Sequence, residues 1–291
     1  MPGISPIKIL GNLKFLSHNL KLPVDFKKPQ GDPSGKHYGD AFSPPDRLAP
    51  PRLVPPWFLP AETPNKYYQD SCDTVGQAYK DLHDAMIDAV QFAHNMWKLQ
   101  AHFKSIQVMA VAAIGAPGCL DGPALESLIK NAPSCAALVG NAAKHRDAVA
   151  KGVSQCFKSW QDQVTVPGLP WYPAFAAFPS AMAPPMPNIP MPLITCVSAK
   201  MTDIVMPDAM KQAMGDALDG EVKRKDPSKQ YEALHDGIAT VLALAFLTWL
   251  PAQQVSLVLG KGPIPTFAPP FVPVGPVMGG DIIAAPGHLM S

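Results

Sequence analysis

Three times in this chain an aspartate is followed, thirteen residues later, by a tryptophan: Asp84 and Trp97, Asp147 and Trp160, Asp236 and Trp249. Inside each frame the apolar residues fall at the same offsets. Two after the aspartate stand Met86, Val149 and Ile238, and six after it Val90, Val153 and Leu242. Nine after it come Ala93, Cys156 and Ala245, and ten after it His94, Phe157 and Phe246. These steps place the residues on one face of a helix. Each frame therefore predicts an amphipathic helix whose buried stripe ends on tryptophan.

The first and third frames also share tyrosine, leucine and histidine in register. YKDLHDAMIDAVQFAHNMW runs from Tyr79 to Trp97, and YEALHDGIATVLALAFLTW from Tyr231 to Trp249. In the second frame, HRDAVAKGVSQCFKSW, Arg146 stands where the others have His83 and His235. The first helix is expected over about Thr74 to Lys104, with Asp73 as N-cap. After each tryptophan comes a short β-branched or apolar run suited to a strand, then chain rich in proline and glycine. GAPGCL (Gly115 to Leu120) and AAPGHL near the C-terminus look like one turn used twice. A single helix with a short strand cannot bury its own apolar face, whereas three such units can pack about a common axis.

The fold class expected is therefore α+β, mainly α-helical, with three quasi-repeats behind a proline-rich arm. The division is residues 1–68 as an extended arm, 69–130 as the first unit, 131–200 as the second and 201–291 as the third. The chain has 35 prolines, culminating for the arm in LAPPRLVPPWFLP (Leu48 to Pro60). Proline fixes φ and removes a donor, so the arm is expected in polyproline-like conformation. Only 16 % of residues are charged against 47 % hydrophobic, which leaves less polar surface than a monomer free in solution normally carries.

The chemistry of known catalytic motifs is hard to find. No GxSxG, HExxH, Walker loop or dinucleotide glycine fingerprint occurs. The glycines of GKGPIP and MGGDII lie among prolines, which lack the donors that a phosphate cradle needs. Asp84, Asp147 and Asp236 are read as early-turn carboxylates favoured by the helix dipole. The adjacent His83–Asp84 and His235–Asp236 are not ready-made dyads, because neighbours on a helix diverge. His94 is expected as a satisfied core histidine, with His102 on the same face. Five cysteines, none at CxxC spacing, read as buried reduced thiols. No enzyme activity, cofactor or metal is expected.

A formal net charge of +1 speaks against nucleic acid as a partner, and Lys223, Arg224 and Lys225 read as a solvated linker. The N-terminus lacks a continuous apolar core, so no classical secretory signal is expected. Ile238 to Leu250, closed by Pro251, reads as too short to span a bilayer and suits a buried helix or a re-entrant segment. Structural core residues are expected at Trp97, Trp160, Trp249, Val90, Val153, Leu242, Phe157 and Phe246. Aromatic residues set among prolines are expected to anchor a partner: Trp57, Phe58, Trp171, Tyr172, Phe267 and Phe271.

A helix–strand–turn unit used three times, with Pro/Gly-rich connections, resembles the pseudo-threefold proteins of phage tails and phage-tail-like contractile injection systems. The resemblance implies a tip, plug or baseplate-associated subunit, bound to other proteins of a large assembly such as a trimeric spike, within a virion or injection particle. The chain departs from the PAAR-type tip, whose histidine-ligated metal site is not evident, so no ligands are carried over. Two other readings compete. One is a delivered effector or membrane-active protein using Ile238 to Leu250 and the C-terminal tail. The other is an adaptor whose LAPPRLVPPW arm fills an aromatic groove.

Overall fold

A computed structural model describes residues 3–22, 59–60, 66–171, 181–226, 228–265 and 277–290. The helices are α1 (Lys8–Ser17), α2 (Lys66–Gln100), α3 (Leu125–Lys130), α4 (Gly140–Asp162), α5 (Thr202–Val205), α6 (Pro207–Ala217), α7 (Gly220–Lys225) and α8 (Gln230–Ala252). The mixture is α+β and mainly helical. The longest helices, α2, α4 and α8, carry the three Asp-to-Trp frames, and each tryptophan lies in its helix's last turn. Their shared stripe is buried throughout: the residues at offsets 2, 6, 9, 10 and 13 are all at most 6 % exposed.

Three boundaries differ from the sequence expectation. Residues 8–17 form α1 rather than extended arm, because Pro6 and Pro23 bracket a run free of proline. α2 begins at Lys66, two residues after Pro64, so Asp73 lies within the helix and is not its N-cap. Asp84, Asp147 and Asp236 accordingly fall beyond the first turn of their helices. The Lys223–Arg224–Lys225 run closes α7 instead of forming a linker. Asp219 caps that helix by accepting from the backbone N–H groups of Glu221 and Val222 at 2.9 and 3.2 Å, and the basic run suits its C-terminal end.

At the tryptophan end each long helix hands on to β structure. The strands are β1 (Lys21–Leu22), β2 (Leu59–Pro60), β3 (His102–Phe103), β4 (Ile106–Ala110), β5 (Ala112–Gly115), β6 (Leu120–Asp121), β7 (Val166–Pro170), β8 (Met182–Pro187), β9 (Met191–Pro192), β10 (Gln254–Val255), β11 (Leu259–Pro263) and β12 (Val277–Ile282), of which six form one antiparallel sheet in the order β7-β5-β4-β12-β11-β8. Its two edges also meet. The Ile189 N–H donates to the Pro170 carbonyl at 2.8 Å, and Trp171 bridges to Asn188. This bridge joins the ends of the two edge strands and closes the sheet at that point. β5 pairs with β7, β8 with β11, and β12 with β4, so the second strand of each consecutive pair bonds to the first strand of the next.

The closed sheet is filled by small and apolar residues: Val108, Ala113, Leu169, Trp171, Ala183 and Val277 are buried. Gly260 makes room there. A Cβ on it would stand 3.1 Å from the Trp171 ring. Pro117-Gly118 and Pro286-Gly287 each place glycine at positive φ, +86° and +106°, a turn geometry that proline followed by glycine satisfies without strain.

Candidate functional site

The centre of the molecule is built from the last turn of the three long helices. Ring centroids of Trp97 and Trp160 lie 6.3 Å apart, those of Trp97 and Trp249 6.2 Å, and those of Trp160 and Trp249 6.1 Å. One helical turn earlier a second triangle forms. His94 lies 5.9 Å from Phe157 and 5.7 Å from Phe246, and Phe157 lies 5.6 Å from Phe246. Two nearly equilateral layers of rings therefore stack along one axis. Tilted and edge-on geometries dominate, as aromatic quadrupoles prefer.

The polar atoms of these layers are treated unequally. The Trp97 indole donates to the Gln161 side-chain oxygen at 2.9 Å, and the Trp249 indole to that of Gln253 at 3.2 Å. The Trp160 indole N–H has no partner among the described residues. His94 Nδ1 accepts the Ile4 N–H at 3.3 Å, while its Nε2 has no partner among the described residues. Burial, helped by Lys98, pushes the His94 pKa down to about 3, so the ring is neutral. His94 is therefore half-satisfied. It does not share a face with His102, because α2 stops at Gln100 and His102 belongs to β3 (His102–Phe103), which pairs with β6 (Leu120–Asp121).

The histidine–aspartate pairs behave differently from each other. His83 Nδ1 does reach Asp84 at 2.9 Å, contrary to the expectation that adjacent side chains diverge. Asp84 also accepts from Lys80, and these bonds hold its carboxyl below the usual range against the opposing effect of burial. Gly11 of α1 covers the other side of the His83 ring, since a Cβ there would lie 2.4 Å from Nε2. Asp236 turns to α1 and α6 instead: His18 lies 2.8 Å from it, Lys14 3.3 Å and Lys211 3.9 Å. Asp147 pairs with Arg146. Asp236 thus ties α8 to α1 and α6, whereas Asp84 and Asp147 pair within their own helices. All five cysteines are buried. Among the described residues no three His, Cys, Asp or Glu side chains are grouped to hold a metal ion.

Of the residues expected to meet a partner, Trp57, Phe58, Tyr172, Phe267 and Phe271 lie outside the described residues. Trp171 is corrected: it is 4 % exposed and donates to the Met186 carbonyl at 2.9 Å, filling the closed sheet instead of projecting from it. The sequence reading missed the residues that do project. Met109, Val111, Ile114, Met182 and Met278 are each between 43 and 56 % exposed on the sheet, and Met109 and Met278 are register partners on neighbouring strands. The alternation of the β4 run IQVMA carried that signal, because Met109 falls opposite in phase to buried Ile106 and Val108.

α8 is long and apolar enough to cross a membrane, yet most of its apolar stretch is buried within the protein. It is longer than the thirteen-residue run suggested, because the helix begins at Gln230. No family model matches the chain, and no curated protein or solved structure matches it either.

Proposed function

We propose that this chain is a non-enzymatic structural subunit with approximate threefold symmetry, seated on a trimeric partner as a tip, plug or baseplate-associated component of a phage tail or contractile injection system. The observation that carries the reading is the pair of stacked triangles, His94–Phe157–Phe246 and Trp97–Trp160–Trp249, each drawn from three different helices at matched positions. The cyclic strand pairing supports it, since the operation that carries β5–β7 to β8–β11 carries that pair to β12–β4. The surface follows the same rule: eight residues after each frame's aspartate, Phe92, Gln155 and Leu244 are all exposed.

A monomer of this kind presents three similar surfaces about one axis and fits the end of a true trimer, where three identical surfaces await it. The apolar residues on the outer sheet, Met109, Val111, Met182 and Met278, supply area to bury in such a joint. The three frame aspartates Asp84, Asp147 and Asp236 are all engaged in ion pairs, which suits fitting more than reacting.

Native mass spectrometry of the tagged chain, isolated gently from its source cells, tests the reading. The expected species holds one copy of this chain with three copies of one other protein. A chain that runs alone, or one-to-one with its partner, contradicts it. The membrane-active alternative requires α8 to leave its burial, and dye release from liposomes by the purified chain would favour that alternative.

A further inference from the structure

Each pair of long helices leaves a groove between them, and two of the grooves hold a helical guest. α1 lies against α2 and α8, and α6 lies between α4 and α8. These guests are 10 and 11 residues long. The third groove, between α2 and α4, is bridged by α3, which has 6 residues. Beyond α3 the groove stays open as a cleft of about 760 Å³.

The cleft walls are apolar: Val75, Ala78 and Leu82 of α2, Leu138 and Ala142 around the start of α4, and Val222 of α7. On this wall His145 is 7 % exposed, and its Nδ1 has no partner among the described residues. Buried polar atoms are normally satisfied, so this ring nitrogen offers a guest in the cleft a hydrogen-bonding partner. The filled grooves show how guests are held by charge. Lys8 of α1 meets Asp88 at 2.7 Å, Lys14 meets Asp236 at 3.3 Å, and Lys211 of α6 meets Asp236 at 3.9 Å. In each case the guest brings the lysine and the long helix the carboxylate. The open cleft carries Asp81 and Asp226 against Lys225, so its bias has the same sign.

We propose that this cleft is a docking groove for an amphipathic helix of a partner protein, about two turns long, with an apolar face toward Ala78, Leu82 and Ala142 and a lysine- or arginine-bearing flank toward Asp81 and Asp226. Its guest completes the set begun by α1 and α6. The chain's own residues 23–65 are poorly suited, because their longest proline-free run is 34–43 and contains Gly35 and Gly39. The inference rests on the groove and its charges, not on the assembly role, so its failure leaves the one-to-three stoichiometry test standing.

A fluorescein-labelled peptide of residues 3–20, which already fits the neighbouring groove as α1, serves as the probe for the full chain. Anisotropy should show saturable binding that weakens with salt and falls by about tenfold on Ala142→Trp or Ala78→Arg. Ala78 is exposed, so its variant folds even if the bulkier one does not, and thermal melts check both. Absence of saturable binding overturns the proposal, whether the cleft is unsuitable or already occupied by residues 23–65. Binding unchanged by both substitutions also overturns it, because the peptide is then entering the groove of α1.

Discussion

At the scale of single residues, the aromatic layers distinguish side chains that are chemically alike. Trp97, Trp160 and Trp249 are at most 4 % exposed, so replacing any one by alanine should cost about 3–5 kcal/mol in denaturant titration. Phenylalanine should separate them. Trp97→Phe strands the Gln161 oxygen and should cost about 1–3 kcal/mol more than Trp160→Phe, whose indole N–H bonds to nothing described. Acid should expose a second property. Burial lowers the pKa of His94 and His235 to about 3 and of His288 to about 4, from an ordinary 6.5. The unfolded chain then binds more protons than the folded one, so the stability from keeping these rings neutral is present above pH 6.5 and drains away as pH falls toward 4. The melting temperature at pH 4.5 should lie more than roughly 5 °C below that at pH 7, and His94→Phe should flatten the dependence. The positions of these residues were legible from periodicity alone. Their unequal hydrogen bonding was not, since Gln161 and Ile4 reach the layers through tertiary contacts.

At the scale of elements, α1 shows what periodicity over long frames overlooks. A ten-residue helix between prolines leaves little signal, and its place is set by glycine and charge. Gly11 lets its backbone approach α8 and His83, where a Cβ would stand 2.8 Å from Val241 and 2.4 Å from the His83 ring. Gly11→Val should therefore destabilise the protein by about 1–3 kcal/mol. Trypsin should then cleave at Lys8 and Lys14 at low protease, which the parent chain resists if α1 is docked. Asp236→Asn should weaken the same docking, because Lys14 and His18 lose their carboxylate. The strands were legible as β-branched runs after each tryptophan. The direction of Trp171 was not: alternation with proline resembles an exposed anchor, and only the space left by Gly260 shows why the indole turns inward.

For the whole molecule, the account depends on three helices lying about one axis. The repeated interval in sequence anticipates three long helices, but not the contacts made by Asn188 beside the seam of the sheet. This buried side chain donates to the carbonyl of Val255 and accepts the Val258 N–H, at 2.9 and 3.0 Å, from a chain about seventy residues away. Such pairing leaves no trace in local pattern. The axis itself can be measured in solution. Phe92, Gln155 and Leu244 are exposed and occupy the same offset in the three frames, while all native cysteines are buried. Spin labels placed pairwise through Phe92→Cys, Gln155→Cys and Leu244→Cys, read by double electron–electron resonance, give three distances. The account predicts that they agree within about 3 Å, the spread that label rotamers add. A distance that departs from the other two by ~8–10 Å, one helix spacing, would contradict the threefold body.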